Sequence, residues 1–126
     1  MVDDDASIRR ALAIQLQILG FDALVLQSAK ALLDSEFPTD DACLLVDVYM
    51  PGMSGIELCQ GLAASGRHLP TILMSGRDDQ QTRQIMSQAK PIAGLFKPFD
   101  QETLLRAIRK ALPDTANLTS YPPRTC

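Results

Sequence analysis

Short apolar runs alternate with longer segments of helical periodicity along this chain, and that alternation restricts the fold more than any other feature. ASIRRALAIQLQIL (6–19) places Ile8, Leu12, Leu16 and Leu19 on one helical stripe, and Gly20 follows as a C-terminal stop. FDALVLQ (21–27) reads as a short strand, SAKALLDSEF (28–37) as a helix capped by Ser28, and ACLLVDV (42–48) as an apolar strand buried on both faces. SGIELCQGLAAS (54–65) is a helix stopped by Gly66, and PTILMS (70–75) is a second buried strand. DDQQTRQIMSQA (78–89) reads as a helix with Asp78 at its N-cap and Gln81 placed for a capping box. IAGLF (92–96) and DQETLLRAIRKAL (100–112) complete the series. Strands joined to helices by short loops require right-handed crossovers, so the expected class is α/β with a doubly wound parallel sheet. One domain spans 1–112, and 113–126 reads as a polar, proline-containing tail without a fold of its own.

Composition narrows the function classes. With 126 residues, 46% hydrophobic, the chain suits a single core and no second domain. A net charge of −3 and no run of Lys and Arg argue against a nucleic-acid surface or an anionic membrane surface. No stretch approaches the ~18–20 apolar residues of a membrane span, and MVDDD is the opposite of a signal peptide's basic start, so the chain reads as cytoplasmic. Cys43, Cys59 and Cys126 form no CxxC pair, and His68 is the only histidine, which leaves no thiolate–imidazole metal motif.

In a doubly wound sheet, ligands bind beyond the carboxyl ends of the strands. The first strand delivers Asp3, Asp4 and Asp5 to that edge, LLVDV delivers Asp47, TILMSG delivers Ser75 and GLFKPF delivers Lys97. Each has a structural reading when taken singly: an aspartate capping the next helix, a serine in a turn, a solvated lysine. Together they are harder to explain that way. Two carboxylates ~4 Å apart repel by roughly 4 kcal/mol at an effective dielectric of ~20, so the cluster needs a positive partner. Oxygen-only donors suit Mg²⁺, which takes one or two carboxylates and keeps water or phosphate oxygens as its other ligands. An aspartate, a hard cation, an ammonium and a hydroxyl make a phosphoryl acceptor site, with Asp47 as nucleophile, Lys97 and the metal as charges and Ser75 as donor.

VDDDASIRRAL, LLVDVYMPGMSGIEL, PTILMSG and LFKPF, in that order and spacing, resemble the receiver domain of two-component response regulators over residues 1 to about 112. The wording around Asp47 is similar to the nitrogen-fixation and nitrogen-control branches. The resemblance implies a flavodoxin-like strand order 2-1-3-4-5. It also implies Asp47 as phosphoacceptor, a Mg²⁺ site formed by Asp3, Asp4, Asp47 and the backbone carbonyl of Tyr49, Ser75 as the switch hydroxyl, and Lys97 joined to Pro98 by a cis bond. Implied partners are a histidine kinase and a downstream protein target or a separate or removed output domain, with a homodimer as a further option. No direct nucleic-acid contact, no membrane and no turnover beyond self-catalysed phosphotransfer and autodephosphorylation are expected. Ala11, Ile14 and Ile18, with the loop of Pro98 and Phe99, resemble the surface that meets the kinase, and signalling would use the face of the fourth helix, fifth strand and fifth helix. The chain departs from the pattern at Gly94, where the family usually carries the aromatic switch residue. Tyr49 and Arg77 occupy the variable positions that influence water attack on the phosphoaspartate. Other readings are an unphosphorylated receiver-like scaffold and a small Mg²⁺-dependent phosphohydrolase. The latter lacks a second aspartate where Tyr49 stands.

A parallel strand needs about five residues before its carboxyl end, yet only Met1 and Val2 precede Asp3, so strand one reads as truncated. An empty central slot would strand several backbone groups at roughly 1–3 kcal/mol each, against a total stability of about 5–15 kcal/mol. The expectation is therefore either more apolar residues upstream, or a gap closed by rearranged strands or by another chain, which would displace Asp3 and Asp4 and weaken Mg²⁺ binding.

Overall fold

The computed structural model describes residues 1–37 and 42–112, so the expected tail at 113–126 lies outside the described residues. The elements are α1 (Ala6–Ile18), α2 (Ala29–Leu33), β1 (Leu44–Asp47), α3 (Gly55–Ala64), β2 (Thr71–Ser75), α4 (Gln80–Gln88), β3 (Ala93–Phe96) and α5 (Gln101–Ala111). β1, β2 and β3 pair in parallel in that order, with Leu45 opposite Ile72 and Leu73 opposite Gly94. Val2 bridges both Val46 and Leu26, so the chain segments run 2-1-3-4-5 across the sheet. The fold is α/β and flavodoxin-like.

Burial of every residue of β1 follows from a sheet covered on both faces. Alternate side chains enter opposite layers. Leu45, Ile72 and Met74 pack with Leu12 and Leu16 of α1 and Leu104 and Ile108 of α5. Leu44, Val46 and Leu73 pack with Leu32 of α2, Leu58 and Leu62 of α3 and Met86 of α4. The helical stripe read in 6–19 therefore faces the sheet, while Ile14 and Ile18 are exposed.

Met1 and Val2 fill the carboxyl-end part of the first-strand slot, through isolated bridges rather than a full strand. Val2 donates to the Leu45 carbonyl at 2.8 Å, and its own carbonyl accepts from Asp47 at 3.1 Å. On the other side Leu26 donates to Met1 at 2.9 Å and Asp3 to Leu26 at 3.2 Å. Met1 is buried in the α1/α5 layer and Val2 in the α2/α3/α4 layer. These bonds fall at the carboxyl end of the slot, where the acidic residues follow. Asp3 and Asp4 are accordingly not displaced.

Three local expectations shift. The 21–27 segment contributes isolated bridges at Asp22 and Leu26 rather than a full strand, and α2 ends at Leu33, well short of Phe37. The N-cap of α4 is Asp79, whose carboxylate accepts from Thr82 at 2.7 Å, while Asp78 pairs with Arg83 at 2.6 Å. Capping requires a side chain that reaches the third helical amide, and with Thr82 at that position no capping box forms. The box occurs instead at α3, between Ser54 and Glu57.

Candidate functional site

Because the strands are parallel, their carboxyl ends share one edge. Val2 is followed by Asp3, β1 ends at Asp47, β2 ends at Ser75, and β3 is followed by Lys97. The Lys97 ammonium donates to Asp3 Oδ2 at 2.6 Å and to Asp47 Oδ2 at 2.5 Å. Asp3 Oδ1 accepts the Asp5 amide at 2.9 Å, and Asp47 Oδ1 accepts the Tyr49 amide at 2.9 Å. Asp3 and Asp47 are buried and Asp4 is exposed, and carboxylate oxygens of all three lie within 4.8 Å of one another. The lysine is thus not a solvated surface residue. Asp5 has the capping role, accepting from Ser7 at 2.9 Å and Ile8 at 3.2 Å. The Lys97–Pro98 peptide is cis, as the resemblance implies.

Ser75 is fully buried, but its hydroxyl is held in a local turn, accepting the Arg77 amide at 2.9 Å and donating to the Arg77 carbonyl at 3.1 Å. Tyr49 and Arg77 are not independent surface side chains. The guanidinium lies 4.8 Å from the centre of the tyrosine ring, and the Tyr49 hydroxyl is 2.7 Å from Thr82 Oγ1. Gly94 is exposed beneath the end of Met86, whose Cε would lie 2.7 Å from an added Cβ. Beside Lys97, an apolar groove of about 460 Å³ is lined by Ile8, Ala11, Leu12, Gln15, Pro98 and Phe99.

Sequence reasoning missed three contributors. Arg9, in the second turn of α1, donates to the Asp3 carbonyl at 2.7 Å. Thr82 is buried and meets Tyr49 from α4. Gly55 packs so closely on β1 that an added Cβ would sit 2.4 Å from the Asp47 carbonyl oxygen. A glycine at the first turn of a helix, shortly after β1, is the one signal that was available for these.

The family model of the response regulator receiver domain matches residues 1–109. The chain belongs to that family. Phosphorylation-based signalling is the role of these receivers, and they bind Mg²⁺ at an acidic pocket. The receiver is 37% identical over 112 residues to the transcriptional regulatory protein FixJ of Azorhizobium caulinodans, covering 89% of this chain and 53% of that protein. It is also 37% identical over 112 residues to the response regulator protein TmoT of Ectopseudomonas mendocina, covering 89% of this chain and 51% of that one. The chain therefore spans about half the length of the curated relatives it matches. Among solved structures, FixJ-N superposes with a TM-score of 0.78 at 31% identity over 90% of both chains. Vibrio cholerae CheY4 superposes with a TM-score of 0.75 at 25% identity, over 88% of this chain and 94% of that one. Among the described residues of the receiver, no helix is long and apolar enough to cross a membrane.

The donor set fits a hard divalent cation: Asp3, Asp4 and Asp47 supply three carboxylates, against the single Lys97 ammonium in contact with them. Burial pushes the Asp47 carboxyl above its ordinary range, outweighing the Lys97 ammonium and the Tyr49 amide that pull it down. Burial works against the Lys97 ammonium, yet Asp3 and Asp47 more than offset it and hold the amine above its ordinary value.

A raised carboxyl pKa contributes stability that is complete below the unfolded value and is lost as pH rises through the folded one. Ionised Asp47 therefore opposes folding at neutral pH. Asp47→Asn is expected to raise the metal-free melting midpoint by a few degrees at neutral pH, with the gain vanishing in acid where both side chains are neutral. Lys97 has the same sign at a higher window: its contribution is complete at neutral pH and is lost only as pH rises through the raised lysine value in strong base. Thermal denaturation in chelator across pH measures both.

Proposed function

We propose that Asp47 accepts a phosphoryl group from a phosphohistidine of a histidine kinase or from a small phosphodonor. The observation that carries this reading is the Lys97 ammonium bound to both Asp3 and Asp47 at one sheet edge, with Asp4 inside the same cluster. An Asp47 carboxylate oxygen forms the new P–O bond as the donor's P–N bond breaks, and the leaving imidazole keeps the electron pair and ends as neutral imidazole after taking a proton. Asp3, Asp4, Asp47 and the Tyr49 carbonyl are the residues that would hold Mg²⁺, which when bound neutralises charge on the transferring oxygens. Lys97 moves toward the phosphoryl oxygens as the Asp47 carboxylate loses its charge. Ser75 leaves its turn to donate to another of them.

Acetyl phosphate should add one phosphoryl mass to the intact protein in the presence of Mg²⁺ and none in chelator. Labelling that ignores Mg²⁺, or no labelling at all, would overturn this reading and favour an unphosphorylated scaffold.

The apolar groove beside Lys97, lined from α1 by Ile8, Ala11 and Leu12, and the exposed Ile14 and Ile18 of the same helix support docking of the kinase there. With the match covering only 53% of the first curated relative, which is named a transcriptional regulatory protein, the receiver's output belongs to a partner or to a separate segment. Ile14→Lys is expected to slow transfer from the cognate kinase roughly tenfold, since one truncated central contact at an interface typically costs more than 1 kcal/mol. Labelling by acetyl phosphate should be unchanged. Equal loss with both donors would place the defect in the chemistry and remove the docking role.

A further inference from the structure

Gly94 leaves no side chain to turn inward between β3 and α4, so a change at Asp47 must reach α4 by another route. Two arms run from the acceptor edge to the first turn of α4. The first starts at Asp47 Oδ1, which accepts the Tyr49 amide at 2.9 Å, and ends at Thr82, whose Oγ1 lies 2.7 Å from the Tyr49 hydroxyl. The second starts at Ser75, tied to both backbone groups of Arg77. From there the Arg77 guanidinium lies 3.1 Å from Asp79, the residue that caps α4 through the Thr82 amide at 2.7 Å. The arms touch where Arg77 lies over the Tyr49 ring.

Phosphorylation perturbs both origins. A carboxylate offers two equivalent anionic acceptors, whereas an acyl phosphate leaves one carbonyl and one bridging oxygen that accepts poorly. The pair of bonds that Asp47 makes to Lys97 and to Tyr49 therefore cannot persist unchanged. Ser75 can reach a phosphoryl oxygen only by releasing part of its bonding to Arg77. The arms differ in strength, however. Arg77 and Asp79 have side chains 59% and 43% exposed, an ion pair that water and salt weaken, whereas Thr82 is fully buried. A hydroxyl pair with one member in the core is costly to leave unmade, so a displacement of Tyr49 carries Thr82 with it more readily than the exposed ion pair carries Asp79.

We propose that the Tyr49–Thr82 hydroxyl pair is the positioning element through which modification of Asp47 moves α4. This rests on the phosphoacceptor reading of Asp47. It makes Tyr49 a conduit to α4 in addition to a neighbour of the phosphoryl group, and Thr82 a functional residue on a helix face that otherwise reads as core.

The test compares amide exchange across Gln80–Gln88 with and without Mg²⁺ and beryllofluoride, while fluorine NMR reports bound beryllofluoride. The chains compared are the wild type, Thr82→Val, Tyr49→Phe with Thr82→Val, and Thr82→Ser. The double variant replaces both hydroxyls by apolar groups of nearly the same shape and leaves neither orphaned. The expected result is bound beryllofluoride in all four, with the α4 response in both valine-containing variants reduced roughly threefold or more, the scale of one lost buried hydrogen bond. Thr82→Ser should restore it. A full α4 response in the double variant with beryllofluoride bound would overturn the proposal. Failure of the wild type to bind beryllofluoride would instead overturn the phosphoacceptor reading, and this proposal with it.

Discussion

Asp47→Asn is expected to abolish phosphoryl labelling, with residual incorporation below roughly one part in a thousand of the wild-type level. The amide keeps the size of the side chain and can still accept the Tyr49 N–H, so the fold and the contact at 2.9 Å are preserved. It has no anionic oxygen to attack phosphorus. A lost nucleophile costs a factor of about 10³ or more when nothing replaces it. Asp3 already accepts from Lys97 and from the Asp5 amide, and Asp4 is exposed, so neither neighbour is poised to substitute. Intact-mass measurement after incubation with acetyl phosphate and Mg²⁺ decides the point. Wild-type levels of label on the asparagine variant would move the acceptor to another residue.

The second large effect lies at Gly55. Replacing glycine by alanine in a helix normally stabilises by about 0.5–1 kcal/mol. The two glycines of α3, Gly55 at its first position and Gly61 in its interior, should give opposite answers. At Gly61 an added Cβ meets only the Leu33 methyls at 3.6 and 3.7 Å, ordinary contact, so Gly61→Ala is expected to stabilise in the usual way. At Gly55 it meets the Asp47 carbonyl oxygen at 2.4 Å, the Asp47 carbonyl carbon at 3.1 Å and the Val48 Cα at 3.3 Å, all backbone atoms of the strand that carries the acceptor. Gly55→Ala is therefore expected to destabilise by roughly 1–3 kcal/mol. It should also slow labelling, because moving β1 shifts the carboxylate against Lys97, and a misplacement of ~1 Å can cost about a hundredfold. Urea unfolding of the two single variants measures the contrast. A stabilised Gly55→Ala protein would show that α3 does not press on β1.

The parts of this protein that were legible in the sequence rest on local rules. The apolar continuity of LLVDV and TILMS marks strands covered on both faces, and Leu12 and Leu16 at helical spacing mark the face of α1 that packs on them. Parallel strands with short crossovers then force Asp3, Asp47, Ser75 and Lys97 to a common edge, so the candidate site follows from topology before any distance is known. The Ser54–Glu57 capping box and the stop at Gly66, with φ +79°, are local in the same sense.

Other features depend on neighbours far away in the chain. Strand one is reduced to bridges at Val2, and which backbone groups of Leu26 and Leu45 it meets is a matter of register that no single segment contains. The exchange of Asp78 for Asp79 at the α4 cap turned on which carboxylate could reach the Thr82 amide while the other met Arg83. Ser75 sits at the predicted edge, but whether its hydroxyl faces the site or closes a turn on Arg77 depends on a rotamer that spacing does not specify. The Tyr49–Thr82 pair joins residues 33 positions apart. The pattern of apolar and polar residues along the chain determined the class of fold, the edge and the chemistry available there. Only the packed structure decided which of those polar groups touch, because hydrogen bonds and close backbone contacts are set to within about an ångström by elements that meet only when the core forms.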